Sequence, residues 1–494
     1  MLFPKLGGME KGTKLPDWVI QHKRPGTEIR RISGKYYLYQ ISSQWDAKLK
    51  RARKKTTAYL GRITPQGFKA RKVEQVPLDD SPASVRHFGA VHYFEQRSGA
   101  ILQELERLFP QWGQTLFAGA ILRLLYQSPL KKMRFFYQNS YASLLWPQAH
   151  LSDKTMSECL RQVGQMRTAI VDFFARFQQG SRFVLIDGTN IHSRSHLDGL
   201  ATPGYNSQQD FSPQVNALFI FAQDEKAPLY YRLTGGDIRE VSSMKMAVEE
   251  SGLKNVVIVS DKGFFSEDNV KALLDEKLHF AIPLKRNSLL IDYTAFQQGD
   301  KQAFDGHFFY DKRPIWYAKH RMSMGGRYCY VYSFLDERLY QEEQQDYLQR
   351  VEKERQGYTM EQFHQTQHKF GTLSLLAYLP RSTSAQQAFE YFKTRNEVEQ
   401  MIDVFKNILQ ADRSYMRTGQ QMEGWMFLNH LALMLYYQLF KELARLNLLS
   451  RYSPMEALQY LERIYKVKVN GQWQISEIPK RAKLIADKLE LPIP

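Results

Sequence analysis

Asp187, Asp261 and Glu399 lie far apart along this 494-residue chain, yet their settings suit one kind of chemistry. Asp187 closes the apolar run in FVLIDGTN, and Asp261 closes that in NVVIVSDKGF. Glu399 sits within FKTRNEVEQMIDVFK, Phe392 to Lys406. Carboxylate oxygens with room for water suit magnesium. Three carboxylates can hold two such ions, and ions about 3.5–4 Å apart clamp the attacking and leaving oxygens of an in-line phosphoryl displacement. That chemistry needs no nucleophilic side chain. The chain has no GxSxG elbow, P-loop or glycine-rich dinucleotide loop. Each residue also has a plainer reading. Asp-Gly and Ser-Asp-Lys-Gly after strands are turn signals, and Arg395 with Glu399 is an ordinary i,i+4 surface pair. His192 and His196 follow Asp187 closely, but without cysteine partners or a helical HExxH they are weak metal ligands and read as surface histidines or as histidines supporting the ligands from behind.

The elements that must position these groups are legible from periodicity. Phe392–Lys406 contains no Gly or Pro, and Val398, Met401, Ile402 and Phe405 recur at helical spacing. At about 100° per residue, Phe392, Arg395, Glu399 and Lys406 form a second stripe beside that apolar face. A carboxylate between two cations could hold a metal while the cations hold phosphates. The runs ending at Asp187 and Asp261 read as buried strands, with further strands at 214–222, 228–234, 279–284 and 371–379 and a helix over Val241–Ser251. The fold class is therefore α/β. Both aspartates are expected at the C-terminal ends of strands, which line the open edge of such a sheet. Residues 286–370 interrupt this core, with strands expected at 306–310, 313–318 and 327–334 and two exposed helices over 336–369.

Composition bounds the partners. Hydrophobic content of 43% and charged content of 24% are those of an ordinary globular chain. The net charge of +17 is not, and residues 1–80 carry 18 Lys+Arg against 7 Asp+Glu. Such asymmetry points to a polyanion, most simply nucleic acid. IRRISGKYYLYQISSQWD reads as a β-hairpin with a Ser33-Gly34 turn, and TTAYLGRI as another strand. Between them Lys48, Lys50, Arg51, Arg53, Lys54 and Lys55 place six cations within eight residues, near Tyr36, Tyr37, Tyr39 and Trp45. Cations interleaved with aromatics suit backbone phosphates; the alternative is a solvated charged turn. A linker follows at Pro77–Pro82, then a helical region. There Ser152 is the N-cap candidate of a short helix ending at Gly164 that resembles the recognition half of a helix-turn-helix; the alternative is an ordinary helix packed on its neighbours. Two cysteines, Cys159 and Cys329, exclude a disulfide framework. No stretch is long enough to span a bilayer, and a cytoplasmic protein with no membrane partner is expected.

Taken together, the segments resemble the DDE transposases of bacterial insertion sequences, in the group with a Tyr-x2-Arg-x3-Glu-x6-Lys signature. Here the signature reads Phe392-x2-Arg395-x3-Glu399-x6-Lys406, with Phe in place of Tyr. Thr234-Gly-Gly-Asp237 resembles the element between the two aspartate motifs. Arg413–Leu439, with Tyr415, Arg417, Thr418, Glu423 and Gly424, resembles the segment after the glutamate. The resemblance implies a ribonuclease H-like catalytic core over 180–285 and 371–445, split by a mostly β insertion at 286–370. A basic β-rich DNA-binding unit (1–80) and a helical region (81–175) would precede it, and a C-terminal subdomain (446–494) would follow. Asp187, Asp261 and Glu399 would be catalytic ligands of two Mg2+ ions, with Mn2+ the plausible substitute. Arg395 and Lys406 would hold phosphates of the transposon end. The resemblance further implies cleavage of element ends in double-stranded DNA and their joining to target DNA by a homodimer assembled on DNA, nucleoid-associated when bound. Trp316 in RPIWYAKHR is the candidate wedge against a flipped base, its other reading being a core tryptophan on a strand. A stand-alone nuclease of the same fold and a non-catalytic DNA-binding protein are the alternative functions.

Overall fold

The computed structural model describes residues 15–46, 51–70, 84–178, 184–193, 200–203, 213–222, 225–235, 240–253, 256–260 and 264–494. Asp261, Lys48, Lys50, His196 and Asp237 lie outside them, as does the Pro77–Pro82 linker. The chain divides into two compact units, Met1–Ala83 with Val469–Gln472, and Ser84–Lys468 with Trp473–Pro494.

The first unit is a four-stranded antiparallel sheet, β1 (Thr27–Ile32), β2 (Lys35–Asp46), β3 (Arg51–Thr64) and β4 (Gly67–Ala70), in that order. The expected hairpin turn is present: Ser33 and Gly34 both have positive φ, which matches the right-handed strand twist. Val19, Ile29, Leu38 and Ile63 form a small core, with Trp18 edge-on to Tyr36 at 5.5 Å. Much of the basic run is strand rather than turn, since β3 begins at Arg51 and pairs it with Asp46. Arg51 and Lys54 are exposed.

The second unit opens with β5 (Ser84–His87) and a helical region. Its centre is an 11-stranded mixed sheet. The strands are β6 (Val184–Ser193), β7 (Thr202–Pro203), β8 (Pro213–Ala222), β9 (Ala227–Gly235), β10 (Val256–Val259), β11 (His279–Pro283), β12 (Gly306–Tyr310), β13 (Arg313–Met324), β14 (Arg327–Asp336), β15 (Thr372–Tyr378) and β16 (Arg413–Ser414). They run β12-β13-β14-β15-β11-β10-β6-β8-β7, with β9 also on β8 and β16 on β6. β6, β10 and β11 are mutually parallel, while β8 and β9 are antiparallel additions. β10 reads VVIV and is buried at every position, as a strand covered on both faces must be. Near the C-terminus β17 (Tyr465–Val469) and β18 (Gln472–Ile475) join β5 in a three-stranded sheet.

Two expectations are corrected by the sheet. Asp187 does not end its strand: β6 runs six residues further, because its antiparallel partner β8 keeps pairing as far as His192↔Gln214. The parallel pairing with β10 does end there, at Ile258↔Ile186, so Asp187 is the first residue of β6 past that neighbour. The strand expected at 313–318 continues to Met324. Its alternating polar tail reads as a loop in sequence, but it pairs with β14 through Met324↔Arg327, around Gly325 and Gly326 at positive φ. The β strands within 286–370 thus extend the central sheet, edge to edge through β14 and β15.

One helix, Gly419–Arg445, is buried on nearly all sides, as a helix at the centre of a large core is. Within it His430 is fully buried among Phe174, Phe219 and Tyr231. Neither ring nitrogen has a partner at hydrogen-bond geometry, although the Pro228 carbonyl weakly favours the proton. Burial, with the Arg167 charge, pushes its pKa down to about 3. The folded state therefore holds it neutral while the unfolded chain protonates it below about 6.5. Stability contributed by this residue is complete above that pH and falls by about 1.4 kcal/mol per pH unit as the pH drops toward 3. Urea unfolding across this range should show His430→Phe losing less stability than wild type; parallel curves would discount this residue as the acid-sensitive group.

Candidate active site

Ala385–Asp403 forms the helix that carries Glu399. Its start is fixed by a capping box, in which the Ser384 hydroxyl accepts from the Gln387 N–H while the Gln387 side chain accepts from the Ser384 N–H. The expected apolar face is inside: Val398, Met401 and Phe405 are buried. Tyr391 is also buried, on the core side, while Phe392 is half-buried. The helix packs across β6, β10, β11 and β14.

The side chains then come together as follows. Asp187 stands opposite Phe219 across the β6–β8 ladder, so both point to the same face of the sheet. Phe219 packs against Phe405 with ring centroids 5.1 Å apart. The next residue, Lys406, is half-buried and feels the carboxylates of Asp412 and Asp187. Burial lowers its pKa, and those two carboxylates partly restore it. The Asp187 Oδ1 accepts the Gly188 N–H at 2.8 Å. Arg395 donates to Glu399 Oε1 at 2.5 Å; Glu399 is about half exposed (46%) and Arg395 less so (22%). An i,i+4 pair at that exposure contributes only about 0.3–0.5 kcal/mol, so Glu399 can exchange this partner for another cation at little cost.

The stripe expected of an ideal helix does not extend to Lys406. Val404–Ile408 is a π-helical turn, closed by Leu409 N–H to the Val404 carbonyl at 2.9 Å. Its wider winding offsets Lys406 from the Arg395–Glu399 row. The turn ends on Gln410 at φ 49°, and Ala411 N–H returns to the Phe405 carbonyl. The chain then pairs with the far end of β6, with His192 N–H on the Asp412 carbonyl at 3.0 Å and Arg413 beside His192. No periodicity argument anticipates a π turn, which needs one residue more than the α-helix allows.

Residues of the following segment have structural partners. Thr418 caps the Gly419–Arg445 helix, accepting from Gln421 N–H. Glu423 accepts from Arg167 at 2.6 Å and from the Tyr231 hydroxyl at 2.7 Å. Gly424 lies where that helix crosses Asp153–Gln165. The latter is the helix that resembles a recognition element, and it buries Met156, Cys159, Leu160 and Val163. Trp316 is half-buried on β13, among His307 (4.9 Å), Phe304 (6.0 Å) and Lys301 (5.1 Å). Among the described residues no three His, Cys, Asp or Glu side chains converge as a metal site, and Asp261 is not one of them. The chain leaves β10 at Val259, two positions before it.

The mixed sheet thus carries Asp187 on a central strand, with the helix that bears Glu399 packed across that strand. The family model described as "Transposase DDE domain" matches residues 178–435, just over half of the chain. The chain belongs to this family and is a DNA transposase, an enzyme of transposition and DNA recombination. The family generally uses divalent metal ions. No curated protein matches it. Among solved structures, the cryo-EM structure of the piggyBac transposase synaptic complex with hairpin DNA aligns at 12% identity over 78% of this chain and 82% of that one, with a TM-score of 0.38. No described helix is long and apolar enough to cross a membrane.

Proposed function

We propose that the chain binds the ends of a mobile element, cleaves them and joins them to target DNA, with Asp187, Asp261 and Glu399 as the catalytic carboxylates. The observation that carries this reading is the convergence of Asp187, Lys406 and the Glu399 helix on one face of the central sheet. The strand order β9-β8-β6-β10-β11, three strands antiparallel and then two parallel to β6, supports a ribonuclease H-like core. The domain division and the insertion-sequence signature, bacterial group included, belong to the same proposal. So do the phosphate-holding roles of Arg395 and Lys406, action as a homodimer on DNA, and Trp316 as a base wedge.

The donor set fits a hard cation: carboxylate oxygens, one of them on the half-exposed Glu399, whose partner Arg395 is held only weakly. Bound magnesium would activate water and stabilise charge on the phosphoryl oxygens. The chain's own work is positioning. β6 sets Asp187 past the end of its parallel neighbour, and the helix that carries Glu399 packs across the same strand. Lys406, close to Asp187 and partly withdrawn from water, neutralises a phosphate there more effectively than an exposed lysine would. Arg395 keeps Glu399 paired until a metal or phosphate displaces it.

Labelled element-end DNA with a supercoiled target in magnesium tests the reading. Joined products are expected; cleavage without joining would instead favour a stand-alone nuclease. The basic N-terminal unit gives a separate expectation. End binding should weaken steeply with salt, and Arg51→Ala with Lys54→Ala should lower the slope of log K against log salt by about 2. An unchanged slope would remove those two cations from the DNA contact.

A further inference from the structure

Arg123 lies on the helix Gly113–Tyr126 and is buried (6% exposed), yet no carboxylate pairs with it among the described residues. Its guanidinium donates instead to four neutral acceptors. Nε reaches Asn429 Oδ1 at 2.9 Å, and Nη1 the Ser128 carbonyl at 3.0 Å. Nη2 reaches the Leu409 carbonyl at 2.5 Å and the Gln410 carbonyl at 3.2 Å. Burial lowers its pKa to about 10, so it remains a cation at neutral pH. A buried charge without a counter-charge is costly, and here hydrogen bonds to four oxygens offset that cost. What the guanidinium supplies is a fixed geometry for its acceptors.

Those acceptors mark the end of the Glu399 helix. Leu409 and Gln410 close the π turn, and Gln410 is held at φ 49°, a conformation unfavourable for a residue with a side chain. On one side of this point stands Lys406, next to Phe405, which packs on Phe219 on the Asp187 face of the sheet. On the other, Asp412 and Arg413 bond to the far end of β6, the Asp187 strand. Asn429 in turn donates to the Trp425 carbonyl, so the same guanidinium ties in the long buried helix. The cation also lies at a helix C-terminus, where the peptide dipoles favour it.

We infer that Arg123 is a positioning residue for DNA cleavage: by bonding the Leu409 and Gln410 carbonyls it holds the π turn that sets Phe405 and Lys406 against the sheet face bearing Phe219 and Asp187. The inference rests on the active site proposed above. Arg123 touches neither substrate nor metal, so its loss acts on the reaction step and leaves DNA binding to other groups. Arg123→Ala should slow end cleavage by about 10²-fold, the size of effect an ångström-scale misplacement produces. End affinity should fall by no more than a few-fold, the share of one phosphate contact, so the effect is mainly on kcat rather than KM. Guanidinium ion at low concentration should restore part of the rate in Arg123→Ala, and sodium chloride at equal ionic strength should not.

Arg123→Lys keeps the charge but reaches fewer carbonyls; it should fold and cut at an intermediate rate, which carries the test if the alanine variant does not fold. Wild-type cleavage by Arg123→Lys, alongside a dead Glu399→Gln, overturns this inference and leaves the active site standing. So does a loss of cleavage that only tracks the folded fraction measured by circular dichroism. Active cleavage by Glu399→Gln would overturn the site itself.

Discussion

Glu399→Gln is expected to abolish cleavage of element ends, by about 10³-fold or more, while end binding stays at the wild-type level. The substitution keeps the size of the side chain and an oxygen for Arg395, whose present bond to Glu399 Oε1 is 2.5 Å. It removes only the negative charge. A half-exposed position on a helix surface tolerates that change structurally, because surface substitutions away from special features cost little. Function should not tolerate it, since a neutral amide is a poor partner for a divalent cation. The measurement is strand cleavage of labelled end DNA in magnesium beside a gel-shift titration of the same DNA. Cutting retained by this variant would remove Glu399 from the mechanism. Binding lost together with cutting would make it a structural or DNA-holding residue instead.

Gly164→Ala and Gly424→Ala are each expected to cost about 3 kcal/mol or more of stability, at the upper end of overpacking effects. Helices Asp153–Gln165 and Gly419–Arg445 touch backbone to backbone at these two glycines. A Cβ at Gly164 would stand 1.8 Å from the Gln420 carbonyl oxygen, and one at Gly424 would stand 2.0 Å from that of Leu160. The obstacle is main chain, so no rotamer change relieves it, and the helices must separate by about 1 Å or more in a close-packed interior. The long helix carries Trp425, whose ring lies 6.4 Å from that of Phe405. Any separation therefore also disturbs the support under Lys406. Urea unfolding midpoints check the claim. Because both substitutions push apart the same crossing, the second should cost less than the first when combined. A wild-type midpoint for either single variant would mean that the contact is looser than described.

The sequence by itself determined the elements whose apolar periodicity is strong. The Glu399 helix, the apolar runs ending at Asp187 and Asp261, the hairpin at Ser33-Gly34 and the strands beginning at Gly306, Arg313 and Arg327 all follow from patterns of period 2 or 3.6 and from turn residues. Residue types and spacing also mark Asp187, Asp261 and Glu399 as the candidate carboxylates, because few side chains suit a hard cation.

Only the tertiary structure decided where these elements go and how they end. The continuation of β6 past Asp187 depends on β8 pairing beyond it, and a local turn signal cannot register a distant strand. The π turn at Lys406 adds one residue to a helix whose sequence reads as continuous. Arg123 reads in sequence as a lone cation in an apolar helix, and its acceptors at Leu409 and Gln410 lie nearly three hundred residues away. Gly164 reads in sequence as a helix end and Gly424 as one residue of the segment after the glutamate, until two backbones are seen to meet there. In each case the deciding interaction is between segments remote in sequence. Local propensity and periodicity carry no record of such partners, and packing alone supplies them.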